Sequence, residues 1–394
     1  MSGFMISENE LQLRQHRLKI KLQELGMSAG IFFRPVRIQY LTGFSHLSTE
    51  RPIALIVPVD GDPAILIPKL EEQHLQAQVP WLKNIRVFDE FPGRKHPLLL
   101  LGEWIIELGI KTAALGADND GHLDQNGYDG PTLSKVFNTE IRWIGNHVDQ
   151  LRMVKSEAEI DLLRVSGDWA ARTHQFLQEA VREGRSERDI SRNAEDLAIA
   201  QLDQESGEAG HWGSISLLAS FHSGPRTAMS HAAMGNRPVC LGDNLVTYCQ
   251  GNILGYVTEL ERTMFFGEPT PKQQTVFRTV VEAQRIALEV MRPGMGCADV
   301  DRLVRQYLED SGYVHAIQHH QGHGLGLEFH EGPFLDIGDA TILEAGMVLS
   351  VEPGLYIPEI GGFRHSDTVA VTQDGIEILT PYPHDLDDLV IIPR

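Results

Sequence analysis

Apolar residues recur along this chain with two periods, and the switch between them marks out its elements. Leu11, Leu18, Leu22 and Leu25 fall on one helical face behind the capping pattern Ser7-x-x-Glu10, and Gly26 stops that helix. AGIFFR then reads as a buried strand, and IALIVPVDGDPAILIP as two strands joined at Asp60–Gly61. Ile85 to Phe88 is a further strand, Leu98 to Leu108 a helix ending at Gly109, and TAALGA another strand. Residues 1–150 therefore alternate helix and strand, which predicts a small α/β domain. A second capping pattern, Ser156-x-x-Glu159, opens a long helix through Ile160, Leu163, Ala170, Phe176 and Leu177. The domain boundary is expected near Leu151, leaving 151–394 as the second domain.

That second region repeats itself. VREGRSERDI (181–190) echoes MRPGMGCADV (291–300), with Arg182, Gly184, Asp189 and Ile190 at the same offsets as Arg292, Gly294, Asp299 and Val300. Each copy links two helices and leads into a β-rich run. The echo predicts a duplicated α-β unit whose two sheets pack together, with helices outside. In the first copy, two apolar runs are joined by an expected turn at Gly251–Asn252. The second copy carries QGHGLGLEFHEGP (321–333), MVLSVEPGLYI (347–357) and GGFRHSDTVAVT (361–372), and a hairpin at Asp374–Gly375 closes the sheet.

Composition narrows the partners. A net charge of −20 over 394 residues argues against nucleic acid and against an anionic membrane surface. The three cysteines, Cys240, Cys249 and Cys297, form no even framework and no metal-type spacing, which fits a reducing cytoplasm. No signal peptide is read at the N-terminus, and no apolar run is long enough to span a bilayer. A cytoplasmic protein is the expectation.

The chemistry gathers between His231 and Arg262 and in the glycine-rich run after it. In a strand, Glu259 and Glu261 share a face while Leu260 points away. Two such carboxylates repel unless a cation, a metal or a shared proton lies between them. His231 follows the loop SGPRTAMS, where an imidazole suits a general base. His323 sits between glycines in GHGLG, and His330 and Glu331 follow it. Glu352 ends an apolar strand before Pro353, so it needs a partner or a ligand; an arginine such as Arg364 is the structural alternative. No Walker-type or dinucleotide-binding fingerprint is present.

These motifs, together with YLTGF, STERP and MVKSEAEI, resemble the creatinase, Xaa-Pro aminopeptidase and prolidase family over nearly the whole chain. The resemblance implies an α+β fold. It consists of a "pita-bread" catalytic domain (a duplicated α-β unit with curved antiparallel sheets and outer helices) after an α/β creatinase-type N-terminal domain. The family's peptidases bind two metal ions through two aspartates, a histidine and two glutamates. Those positions hold Tyr248, Glu259, His323, Glu352 and Ser366 here. Tyrosine and serine do not replace bridging carboxylates at neutral pH. The resemblance to the creatinase and ectoine hydrolase members then implies a metal-independent reaction. Glu261 and Glu352 would clamp a cationic amidine or guanidine, His231 would act as acid and base, and His323 would orient the substrate or steady the intermediate. Arg51 would hold the substrate carboxylate from the partner subunit of a homodimer, and Glu259 and His330 would contact substrate. Phe334 stands where creatinase has a second arginine, so creatine itself is not expected. The main expectation is thus a hydrolase cleaving a C–N bond of a small nitrogenous solute, without a cofactor. Two alternatives stand beside it: a metal-dependent Xaa-Pro peptidase with a single ion on Glu259, His323 and Glu352, and a non-catalytic peptide-binding relative.

Overall fold

The computed structural model describes residues 6–123, 126–206 and 215–393. They form two compact units, Ile6–Arg152 and Met153–Arg394. In the N-terminal unit a six-stranded sheet runs in the order Asn84–Phe88, Ala64–Pro68, Ala54–Pro58, Ala29–Phe32, Leu115–Ala117, Arg142–Trp143. Ala29–Phe32 is antiparallel to Ala54–Pro58 and parallel to Leu115–Ala117. Its three apolar central strands are buried along their whole length, as strands covered on both faces must be. The helix Glu8–Glu24 starts at Ser7, whose hydroxyl accepts from the Glu10 N–H, and buries Leu11, Leu18 and Leu22. Leu25 lies just beyond it as the C-cap.

The C-terminal unit carries the duplication. Its two long helices, Glu157–Ala180 and Pro271–Val290, each start with a complete capping box, at Ser156/Glu159 and Thr270/Gln273. Each chain segment then turns on a glycine in the left-handed region, Gly184 (φ 75°) and Gly294 (φ 90°). The N–H groups of these glycines donate to Val239 O and Leu343 O, both at 2.9 Å. Second helices follow at Glu187–Ser206 and Cys297–Asp310.

The two copies do not make two packed sheets, as their repeat predicts; apart from a two-stranded sheet of Gly354–Ile357 and Gly361–Arg364, their strands join into one. Its order is Glu331–Phe334, His323–Gly324, Val348–Val351, Ser366–Val371, Tyr256–Phe266, Asn244–Ile253, Ile215–Ser223. Ile376–Ile378 pairs with Ser366–Val371, and Val390–Ile391 with Tyr256–Phe266. The halves join where Ser366 faces Glu261 and Asp367 faces Leu260. An unpaired strand edge is costly, and merging the halves removes two such edges. Apolar side chains of the strands and of the outer helices, among them Phe265, Phe277, Val280, Val300 and Leu349, form a continuous core. Among the described residues, no helix is long and apolar enough to cross a membrane.

The central hairpin turns later than its sequence suggests. The ladder continues through Gly251↔Thr258 to Ile253↔Tyr256, and the turn falls at Leu254 (φ 55°) and Gly255 (φ 90°). Gly251 serves close packing instead. A Cβ there would lie 2.0 Å from the Ser166 carbonyl oxygen of the long first helix.

Candidate active site

Strand register sets the floor of the site. Tyr248 is paired with Glu261 on one side, and Ser366 with Glu261 on the other, so these three residues form one row across three strands. Glu259 stands two residues from Glu261 on the same face, and both carboxylates are 2% exposed. The Glu259 N–H donates to Thr368 Oγ1 at 3.0 Å, fixing that strand against Ser366–Val371.

The second copy supplies His323 and Glu352. The His323 backbone N–H donates to Ser350 Oγ at 3.0 Å, and the Glu352 N–H donates to Gln321 O at 2.8 Å. The His323 ring donates from Nδ1 to Gly324 O at 3.1 Å, since a carbonyl can only accept. Nε2 is thereby turned to the carboxylates, 3.2 Å from Glu352 Oε1 and 3.8 Å from Glu259 Oε1. One ligand atom from each of Glu259, His323 and Glu352 lies within 4.8 Å of the others.

Electrostatics reflect this crowding. Burial raises Glu259 to about 7, and the neighbouring Glu352 adds to the rise. Burial also raises Glu261 to about 8, against the pull of Arg364. For Glu352 burial is overcome by the His323 hydrogen bond and charge, which hold it down to about 2. For His323 burial is likewise overcome, by Glu352 and then Glu259, and the ring rises to about 9.

The remaining expected residues fall out differently. The His330 ring stacks on His323 with centroids 3.7 Å apart. His231 is exposed in the turn after the short helix Gly224–Ala228, close enough for its charge to act on His330 and His222. Arg51 belongs to the N-terminal unit, where it pairs with Glu50. Tyr248 is pushed up by burial, then by Glu259 and Glu261, so it stays protonated, and its hydroxyl donates to Gln250 Oε1 at 2.7 Å. Ser366 Oγ donates to Glu259 Oε1 at 3.0 Å. His365 points to the opposite side of the sheet, against the Phe277 ring.

Arg364 is the residue whose place the pattern alone did not give. It pairs with Glu261 and not with Glu352, and its Nη1 donates to Tyr356 Oη at 3.3 Å. The signal was available, because Arg364 and Ser366 are two residues apart and share a face. Lys155 is a second residue that the sequence pattern does not bring to the site. Its ammonium pairs at 2.8 Å with Glu331, anchoring the segment that carries His330.

The donor set fits one divalent ion. Carboxylates and an imidazole with its tautomer fixed by a carbonyl are ligand types that bind zinc, and three protein ligands leave a position open for substrate or water. Tyr248 and Ser366 hold no anion and are engaged as donors.

The model of the metallopeptidase family M24 matches residues 161–373, more than half of the chain. That of the creatinase/prolidase N-terminal domain matches residues 14–154. The chain is 30% identical to the Xaa-Pro dipeptidase of Pyrococcus furiosus over 95% of its own length and 99% of that protein's. Among solved structures it is similar to a prolidase from Thermococcus sibiricus, with a TM-score of 0.83 and 26% identity over 98% of this chain and 99% of that one. A dipeptidase from Mycobacterium ulcerans gives a TM-score of 0.81 and 27% identity over 97% and 98%. The metallopeptidase match and these dipeptidase relatives overturn two expectations: the metal-independent solute hydrolase and the absence of a cofactor. The site agrees with the correction, because the place assigned to a substrate guanidinium on Glu261 is filled by the chain's own Arg364. The chain belongs to the metallopeptidase family M24, within the creatinase, Xaa-Pro aminopeptidase and prolidase group, and is a hydrolase acting on C–N bonds.

Proposed function

We propose that the chain is a metal-dependent Xaa-Pro dipeptidase. The observation that carries this reading is the convergence of Glu259, His323 and Glu352, with ligand atoms within 4.8 Å of one another, at the centre of the sheet. The dipeptidase relatives supply the substrate class. When bound on these three residues, a divalent ion supplies Lewis acidity toward the scissile carbonyl. His330, stacked on His323, walls the site with Phe329, whose ring lies edge-on to Tyr248 at 5.8 Å. His231, exposed to solvent, would take a proton from the attacking water and give it to the leaving nitrogen. In a homodimer, Arg51 from one protomer would meet the dipeptide carboxylate in the other, exchanging its Glu50 partner for the substrate. The three unpaired cysteines support a cytoplasmic setting.

The test is direct. Protein stripped with a chelator and reloaded with Mn²⁺, Co²⁺ or Zn²⁺ is offered Met-Pro, Gly-Pro and Gly-Gly. Metal-dependent release of free proline is expected; no proline release with any of the three ions would sink the reading.

Metal affinity should also depend on pH. In the metal-free site His323 keeps its proton up to about pH 9 and Glu259 up to about 7. A ligated imidazole and carboxylate must give those protons up. The ion therefore displaces two protons below pH 7 and one between 7 and 9, so affinity rises with pH, about tenfold per unit for each proton displaced. Calorimetry in two buffers of different ionisation enthalpy counts the protons released. Affinity that stays flat from pH 6 to 8 would contradict the charge state given to His323.

A further inference from the structure

We propose that this centre takes one divalent ion and not two, because Arg364, held by Glu261, stands in for a second cation. The inference rests on the metal-dependent reading above and concerns only how the chain's own residues set the number of ions.

Geometry is the first support. The row Tyr248–Glu261–Ser366 crosses three strands beside Glu259. Its outer members are hydroxyls, and both are engaged as donors, Tyr248 to Gln250 and Ser366 to Glu259. Neither offers the anionic oxygen that a second ion requires. Between them, Glu261 gives Oε1 to Arg364. The guanidinium is almost fully buried, at 8% exposure, and is braced by Tyr356 Oη, which His319 Nε2 meets at 2.9 Å. A guanidinium stays charged under all ordinary conditions, so it acts as a permanent cation among these carboxylates.

Electrostatic repulsion is the second support. A second divalent ion at this row would sit beside the buried Arg364 guanidinium, and the Glu261 carboxylate that could offset the repulsion is already paired with that guanidinium. Glu261 does keep one oxygen, Oε2, buried without a hydrogen-bond partner. The competing assignment makes that oxygen a ligand of a second ion, and the experiment separates the two.

The full-length protein, stripped of metal and equilibrated with Mn²⁺, is assayed by mass spectrometry for bound ion and by electron paramagnetic resonance for spin coupling. One ion per chain with an uncoupled Mn²⁺ signal is expected. Glu261→Gln, which keeps a hydrogen-bonding partner for Arg364, is expected to bind one ion as well. Two ions per chain, a spin-coupled pair, no bound ion, or loss of the ion in Glu261→Gln would each overturn the proposal. The readout is independent of turnover. A protein that binds one ion and cleaves no Xaa-Pro dipeptide would refute the proposed function and leave this inference standing.

Discussion

Glu352→Gln is expected to lower kcat/KM toward an Xaa-Pro dipeptide by about 10³-fold and to strip the protein of its ion, because several kcal/mol of transition-state stabilisation depend on the metal. Glutamine has nearly the same shape, so the packing around residue 352 should survive. The backbone N–H that ties this position to Gln321 O at 2.8 Å is untouched. What changes is the charge. Glu352 is the carboxylate closest to His323 Nε2 and the one that its neighbours hold most firmly ionised. An amide oxygen is a weak ligand for a catalytic divalent ion and leaves the site one negative charge short. The measurements are bound metal per chain, steady-state kinetics with excess metal, and a melting curve to establish that the variant is folded. A variant that keeps its ion and loses less than tenfold in activity would remove Glu352 from the ligand set.

The parts of this site that could be read from the sequence were those governed by local period. Glu259 and Glu261 share a face because they are two residues apart in a strand, and no distant contact is needed to know it. Glu352 announced itself as a buried carboxylate at the end of an apolar run, which must find a partner. Which partner it finds is a long-range matter. His323 reaches it only because His323–Gly324 and Val348–Val351 are adjacent in the sheet. Arg364 reaches Glu261 only because the two halves of the duplication pair at Ser366 and Glu261. The same gap explains why the chemistry was misassigned. Two glutamates on one face imply a cation between them, but residue types alone do not tell a cation of the substrate from one belonging to the chain. With Arg364 in place, Glu261 no longer requires a guanidine ligand, and the remaining carboxylates face an imidazole in the manner of a metal site. The repeat at 181–190 and 291–300 was legible in the same local sense. The merging of its two halves into one sheet was not, because nothing in either copy specifies the pairing of residues 260–261 with 366–367. Gly251 shows the opposite hazard, a turn-forming residue used for close helix packing.

Arg262→Leu should be the most destabilising single substitution in the C-terminal unit, by about 3–5 kcal/mol, the usual cost of removing one partner from a buried ion pair. Arg262 is fully buried and lies on the face of the sheet opposite Glu259 and Glu261. Its Nη2 meets Asp367 Oδ1 at 2.8 Å across the join between the halves. Nη2 also donates to the Tyr382 carbonyl at 3.0 Å, Nη1 to the carbonyls of Glu261 and Ser366, both at 2.8 Å, and Nε to that of Pro383 at 2.7 Å. One planar fork thus ties the two halves of the duplication to the C-terminal segment. Leucine leaves these acceptors without a donor and Asp367 without its main countercharge, although His384 at 2.7 Å and Gln284 at 2.9 Å still hold that carboxylate. Lysine restores the charge but carries three donors on a point-like ammonium, so Arg262→Lys should recover less than half of the loss. Denaturant unfolding of the metal-free proteins measures both variants, and a shift in melting temperature of roughly 10 °C should accompany the leucine change. Because the Glu261 and Ser366 carbonyls flank the row that holds Arg364 in place, the leucine variant should also lose metal affinity well below its melting temperature. Destabilisation under 1 kcal/mol with unchanged metal binding would mean that strand pairing alone holds the halves together, and that the buried arginine is not what fixes the floor of the site.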